Sequence, residues 1–560
     1  MVRDSRYDIL FEPIQIGPVT SKNRFYQVPH CNGMGHRDPT ALAVMRGVKA
    51  EGGWGVVCTE QVDFHPSAEI TPYVELRLWD DKDIPMFARM MDHIHEHDAL
   101  GGIELCHAGL GAANRYSRET PLGPVHLPVM DGLSEPTQAR AMTRRDIQDF
   151  RRWHKDAALR AKTAGADIVY VYAGKYFSGL THWLSHRYNY RDDEYGGCLN
   201  NRVRLLREVI ADTKEAVGDK CGVVCRISID DLAGEAGMRA EESIRIIAML
   251  DDYPDAWDLT LSPWENDSQT SRFSREGYQE PFVTGFKQVS KKPIIGTGRF
   301  TSPDTMVSQI RRGIIDMIGA ARPSIADPFL PNKIYEGRID DIRECIGCNI
   351  CVSGDHLQYP MRCTQNPTMS EEWRRGWHPE RIARKATSAK VLVVGAGPTG
   401  LEATLALGNR GYDVVLAEAT RVLGGRVEKE CQLPGLREWS RVRDYRKLQI
   451  QKMKNVSIYF ESSLDASSIL SFGFDHVALC TGAFWRKDAV ARYHTVPIEI
   501  DGDMAILTPD DLMLDHRPPG HKVVLYDDDH YYMGGVLAEL LVKQGYEVSL
   551  VTPAADVSHW

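Results

Sequence analysis

Between residues 23 and 323 the chain carries eight short apolar runs: NRFYQVPH, WGVVCTEQV, GGIELCHAG, ADIVYVYAG, CGVVCRISID, AWDLTLSPW, KPIIGTGRF and DMIGAARP. Segments of helical character lie between them. In TRRDIQDFRRWHKDAALRAKTAG the apolar positions recur about every 3.6 residues and a glycine closes the segment. Strands that are apolar along nearly their whole length are buried on both faces, which requires a parallel sheet covered by helices. Eight such units in about 300 residues fit a closed (β/α)8 barrel better than an open sheet. Residues 1–340 are assigned to that barrel.

Residues 341–385 read as a cysteine-rich connector that ends in the polar run SEEWRRGWHPERIARK. KVLVVGAGPTGLEATLALGNRGYDVVLAEA then reads as strand, glycine turn, helix and strand, and a further strand ends at HVALCTGA. Residues 386–500 are assigned to a Rossmann-like unit on this pattern. From Lys522, KVVLYDDDHYYMGGVLAELLVKQGYEVSLVTP repeats the rhythm, so residues 501–560 read as the start of a second, degenerate unit. One βαβ does not cover such a sheet, and the sequence is expected to be incomplete at its C-terminus.

Composition narrows the function. Hydrophobic residues are 43% and charged residues 26% of the 560, which excludes a disordered or collagen-like chain. With 67 Lys and Arg against 77 Asp and Glu the net charge is −10, so nucleic acid is not an expected partner. No apolar run approaches the ~20 residues that span a bilayer, and MVRDSRYDIL lacks the apolar core of a signal peptide. Twelve cysteines are too sparse for a disulfide scaffold, and four crowd between Cys345 and Cys363. A cytoplasmic, metal-containing enzyme is expected.

Those four cysteines, Cys345, Cys348, Cys351 and Cys363, form C-x2-C-x2-C-x11-C. Three thiolates at every third position can wrap one corner of a cubane while a fourth arrives from a later loop, which matches [4Fe–4S] ligation. A structural zinc site more often uses two separated C-x2-C pairs. Zinc and four unrelated buried thiols are the alternatives. The second motif is GAGPTG, with Gly395, Gly397 and Gly400 between a strand and a helix. Such glycines let backbone amides approach a pyrophosphate at a helix N-terminus. Glu418, 18 residues after Gly400, is placed to accept from a ribose hydroxyl, and Arg426 and Thr481 lie in segments resembling other parts of adenine-nucleotide sites. The second βαβ has DDDHYYMGG at the matching turn, and its three acids would repel a pyrophosphate. A second dinucleotide site is not expected.

In a barrel the chemistry collects where strands end. Those positions are Cys31, Gln61, Glu104 with His107, Tyr172 with Lys175, Arg226, Trp264 with Asp267, Arg299 and Arg322. The arginines of GTGRF and GAARPS suit a phosphate. Each residue alone also suits a structural role, but their common address favours function.

PIQIGPVTSKNRF, DEYGGCLNNRVR and IGAARPSIADP resemble the old yellow enzyme family. Together with the cysteine motif and the glycine turn, the chain resembles the iron–sulfur flavoprotein branch that contains trimethylamine, dimethylamine and histamine dehydrogenases. The sibling dienoyl-CoA reductases space their third cysteine one residue further and keep an NADPH fingerprint; this chain does neither. The resemblance implies FMN bonded through C6 to Cys31 of VPHC, with Pro29, His30, Cys58, Glu104, Arg226, Gly298, Arg299, Ala321 and Arg322 around it. It implies ADP, rather than a working FAD, at Gly395, Gly397, Gly400, Glu418, Arg426 and Thr481. It further implies oxidation of an amine to an imine that water hydrolyses. Electrons then pass singly through the cluster to an external acceptor such as an electron-transfer flavoprotein. A homodimer is the family's assembly.

The methylamine enzymes hold an alkylammonium in an aromatic bowl. Trp264 keeps one wall, while Gln61 and Asp355 stand at the other two positions, a pairing shared with histamine dehydrogenases. A bare trimethylammonium satisfies neither, and an unpaired buried polar group costs about 1–3 kcal/mol. Primary, ring-bearing amines, histamine first, are therefore expected. The family's Tyr-x-x-His pair, which works with an aspartate, is here Tyr172 and Lys175 with Asp267. A charged lysine 4 Å from an ammonium is repelled by about 4 kcal/mol at an effective dielectric of 20. Lys175 is then neutral, paired with Asp267, or turned away. The rival readings are a methylamine dehydrogenase, an NAD(P)H-dependent ene- or dienoyl-reductase, and an electron-relay or sensing module without turnover.

Overall fold

The computed structural model describes residues 3–69, 75–129, 137–354 and 359–559. The chain divides into two compact units, Met1–Thr270 with Ser274–Arg381, and Ser271–Phe273 with Ile382–Trp560.

Eight strands of the first unit close on themselves: β1 (Phe25–Gln27), β2 (Val56–Asp63), β3 (Leu100–Cys106), β4 (Ile168–Ala173), β5 (Gly222–Ser228), β6 (Ala256–Thr260), β7 (Ile294–Gly296) and β8 (Met317–Gly319). All neighbours are parallel; Ile318 of β8 pairs with Phe25 of β1, and Tyr26 of β1 with Val56 of β2, which completes the ring. Alternation explains why the runs read as apolar throughout. Tyr26, Val56, Cys58, Ile168, Tyr170, Val224 and Met317 point into the barrel core. Their neighbours Phe25, Val57, Val169, Val171, Val223 and Ile318 belong to the larger core outside it, against the helices.

Helix α1 (Pro39–Glu51) starts at Asp38, whose side chain accepts from the amides of Thr40 and Ala41, with proline at the first helical position. Helix α2 (Arg144–Thr163) opens with a capping box between Thr143 and Asp146 and buries Ile147, Phe150, His154, Ala157, Ala158 and Ala161, one stripe at helical spacing. Short turns follow the last strands: α3 (Trp264–Asp267) after β6 and α4 (Arg322–Ala326) after β8. A further turn, α5 (Ile350–Ser353), lies in the cysteine segment.

The second unit holds a parallel sheet of β9 (Lys390–Val394), β10 (Asp413–Ala417), β11 (Val456–Tyr459) and β12 (His476–Leu479), in the order β11-β10-β9-β12. Helix α6 (Pro398–Asn409) follows β9. A separate parallel pair, β13 (Lys522–Tyr526) and β14 (Glu547–Val551), is bridged by α7 (Met533–Lys543). Among the described residues no helix is long and apolar enough to cross a membrane.

Candidate active site of the barrel

The ends of the barrel strands surround one cavity. Cys31, Gln61, Glu104, Tyr172, Lys175, Arg226, Trp264, Asp267, Arg299 and Arg322 all line it, as do Pro29, His30, Gly298 and Ala321. Two expected positions do not. Cys58 lies in the barrel's interior core, three residues before Gln61 on the same strand, where a register shift against β3 separates the two. Burial pushes its thiol up to about 12. His107 packs against Phe64 and Phe150, contacts Ser67 Oγ at 3.0 Å, and is pushed down to about 3 by burial. Asp355 lies outside the described residues.

The cavity's charges are held by one another. Arg226 donates to Glu104 Oε1 at 2.9 Å and, through Nε, to Asp258 Oδ2 at 2.9 Å. Burial pushes the Glu104 carboxyl up to about 7 against the pull of Arg226. Lys175 takes the left-handed conformation, φ 65°, and its Nζ donates to Asp267 Oδ2 and, at 3.2 Å, to Thr260 Oγ1. Lys175 is therefore paired with Asp267. Asp267 Oδ1 in turn accepts from Thr260 Oγ1 at 2.9 Å and Gln279 Nε2 at 3.0 Å. Burial opposes ionisation of both partners: it lowers Lys175, while at Asp267 the lysine and the hydrogen bonds outweigh it and hold the carboxyl below its ordinary range.

Several lining residues escaped the sequence reading, Phe177 and Glu75 among them. Phe177 meets Trp264 edge to face, with ring centroids 6.1 Å apart and planes at 75°. Its sequence signal was its place two residues after Lys175. Glu75, from the loop after β2, accepts from the Cys31 thiol at 3.3 Å; an irregular loop carries no period that would have revealed it.

The phosphate-type arginines are anchored. Arg299, φ 55°, donates to the Ser274 carbonyl at 2.8 Å. Arg322 donates to the Gln269 carbonyl and to Asn349 Oδ1, both at 2.7 Å. A side chain at Gly298 would lie 2.8 Å from Phe300, so this wall stays backbone-smooth. A cavity lined by Arg299, Arg322 and the buried Arg226, with Gly298, Ala321 and Ile325 among the other lining residues, fits FMN.

Among the described residues no three His, Cys, Asp or Glu side chains converge on a single-ion site. The donor set fits a cubane. Cys345 and Cys351 are buried, the Cys351 thiol feels the charges of Cys363, Cys345 and Cys348, and the amides of Gly347 and Gln365 reach the sulfurs of Cys345 and Cys363 at 3.4 Å. Cys351 also lines the barrel cavity.

In the second unit a Cβ on Gly400 would lie 1.8 Å from the Gly395 carbonyl oxygen, while Gly397 faces open space at the head of α6. The turn therefore leaves room for an anionic ligand at the helix N-terminus. Glu418 is already engaged: its carboxylate accepts from the Ala396 amide and from Thr420, each at 2.8 Å. Arg426 donates to the Ala483 carbonyl and Thr481 is exposed.

Residues 9–341 match the NADH:flavin oxidoreductase / NADH oxidase family, and residues 393–443 match an NAD(P)-binding Rossmann-like domain. The chain belongs to that flavin oxidoreductase family, in the barrel form described above. Within it the relatives are specific. Dimethylamine dehydrogenase of Hyphomicrobium sp. (strain x) is 40% identical over 99% of this chain and 77% of its own length. The structure of histamine dehydrogenase from Rhizobium sp. 4-9 matches with a TM-score of 0.97 and 55% identity, over 99% of this chain and 81% of that one. That of 6-hydroxypseudooxynicotine amine oxidase from Pseudomonas geniculata N1 matches with a TM-score of 0.97 and 49% identity, over 100% and 84%. The protein is a flavin-dependent amine dehydrogenase, an oxidoreductase acting on C–N bonds.

Proposed function

We propose that the chain oxidatively deaminates a primary, ring-bearing amine, histamine first, and passes the electrons to an external acceptor such as an electron-transfer flavoprotein. The observation that carries this reading is the shared cavity: Trp264, Phe177 and Gln61 line the same space as Cys31 and Cys351. On this reading FMN is bonded to Cys31, Cys345, Cys348, Cys351 and Cys363 hold the cluster, and ADP lies at Gly397. When bound, FMN supplies the two-electron acceptor and the cluster the one-electron relay.

The chain's own residues do the rest. The Trp264–Phe177 corner receives the flat ring and attracts a cation through its faces. Gln61 supplies the amide that a substrate ring nitrogen can satisfy. Tyr172, whose hydroxyl is pushed well above its ordinary range by burial, stays protonated and donates. Lys175 and Asp267 hold the proton inventory beside the amine: burial weakens the lysine's hold on its proton, and Asp267 accepts from its Nζ. Arg226 and Glu104 stand along the ring. Arg299 and Arg322 take the phosphate.

An anaerobic visible spectrum of the holoenzyme tests the substrate. Histamine is expected to bleach the flavin band rapidly. Bleaching by dimethylamine and none by histamine would overturn the ring-bearing substrate and favour the methylamine reading, which the 40% identical relative supports.

A further inference from the structure

Four carboxylates line the barrel cavity, and three of them meet cations: Glu104 and Asp258 accept from Arg226, and Asp267 accepts from Lys175. The fourth, Glu75, meets a thiol. Its Oε2 accepts from Cys31 Sγ at 3.3 Å, and the glutamate is 4% exposed.

Backbone contacts fix both ends of this pair. Val62 and Asp63 at the end of β2 pair in parallel with Leu76 and Arg77, which seats Glu75 directly before that short ladder. The segment that follows Cys31 folds back onto the same place. The His36 amide donates to the Glu75 carbonyl, and Asn32 Oδ1 accepts from the amides of Met34 and Gly35 at 2.6 and 3.2 Å. Gly35 takes φ 55°, and a Cβ on it would lie 2.5 Å from that carbonyl oxygen. The chain thus brings the two segments to a distance that a larger residue would forbid. His30, next to the cysteine, is engaged elsewhere: its Nδ1 lies 2.8 Å from the Cys31 carbonyl, and its Nε2 faces Arg46 Nη1 at 3.0 Å and Lys49 Nζ.

A thiol becomes a strong nucleophile once it has lost its proton, and a carboxylate within hydrogen-bond reach is placed to take it. We propose that Glu75 is the general base of flavin attachment, taking the Cys31 proton as the sulfur bonds to C6 of FMN. The inference rests on the reading that Cys31 carries the flavin. The S–H bond breaks and its proton passes to Glu75; the S–C6 bond forms and the electron pair enters the ring system. Glu75 returns its proton to one ring nitrogen, the C6–H bond breaks with its proton moving to another, and the flavin is left reduced. Dioxygen then takes two electrons and two protons as hydrogen peroxide. The carboxylate ends as it began, and the flavin is again oxidised, now with a thioether.

The covalent fraction of the flavin tests this without reference to turnover. Parent and variants are purified after the same short induction in air and precipitated with acid. Flavin left on the chain is compared with flavin released, and peptide mass mapping locates it. The parent is expected to keep its flavin at Cys31. Glu75→Gln is expected to bind FMN but to attach it about 100-fold more slowly, so that acid releases most of it. Glu75→Asp, which keeps a carboxylate, is expected to fall between the two. Attachment in Glu75→Gln as complete as in the parent overturns the proposal. If that variant does not hold FMN, Glu75→Ala incubated with FMN in air decides: formate, a carboxylate small enough for the vacated space, is expected to speed attachment, and no acceleration overturns the proposal. A parent that releases all its flavin in acid overturns the reading of Cys31, and the proposal with it. That failure is distinct from a parent and variants that all retain it.

Discussion

The barrel mouth and the glycine turn after β9 both lie where parallel strands end, yet they are built in opposite ways. The mouth is made of side chains held by other side chains: Arg226 between Glu104 and Asp258, Lys175 on Asp267. The glycine turn is made by leaving side chains out, with Gly400 against Gly395 and Gly397 open. The turn after β13 shows what happens when the space is filled. Asp527 Oδ1 accepts from the amides of Asp529 and His530 at 3.1 and 3.2 Å, so a carboxylate of the chain takes the amides that a phosphate would otherwise meet. A site of paired charges fails when one partner is removed; a site of bare backbone fails when one methyl is added.

The largest effect is expected from breaking the mouth. Arg226→Met leaves Glu104 and Asp258 buried without their cation and should cost ~3–5 kcal/mol in denaturant unfolding; a loss within error would show that the carboxylates are satisfied elsewhere. Next, Gly400→Ala forces a methyl against the Gly395 carbonyl and should cost ~1–3 kcal/mol, with loss of bound nucleotide measured after denaturation and chromatography. Lys175→His sharpens the comparison by changing a partner without deleting it. Histidine loses its proton near ~6.5 against ~10.4 for a reference lysine, so the limb of the flavin-reduction profile governed by this position should move to lower pH. An unchanged profile in stopped-flow reduction would remove Lys175 from the chemistry. The smallest effect on stability is expected from Gly397→Ala: its Cβ would meet no atom within 4 Å, and unfolding should change by less than ~0.5 kcal/mol while retained ADP falls. Full ADP retention would place the ligand away from this turn.

The barrel was legible because each strand is buried on both faces and so reads as one apolar run between helical stretches. Strand ends told which residues gather around the cavity, as at Gln61, Tyr172 and Arg226. Cys58 was misplaced because position along a strand does not reveal depth, and the register shift between Cys58 and Gln61 leaves no trace in composition. Phe177 and Glu75 stand on loops, where neither period 2 nor period 3.6 operates. The pairing of Lys175 with Asp267 was one of three possibilities that charge alone left open; the positive φ of Lys175, which no propensity suggests, accompanies the conformation found.

Asn349 sits among the cysteines at φ 60°, and it accepts from Arg322 while donating to the Ser268 carbonyl. The cysteine loop and the arginine proposed for the phosphate thus share one hydrogen-bonded bracket. Asn349 thus ties the cysteine segment to the barrel's last turn, so a change that reorients one end is felt by the hydrogen bonds of the other.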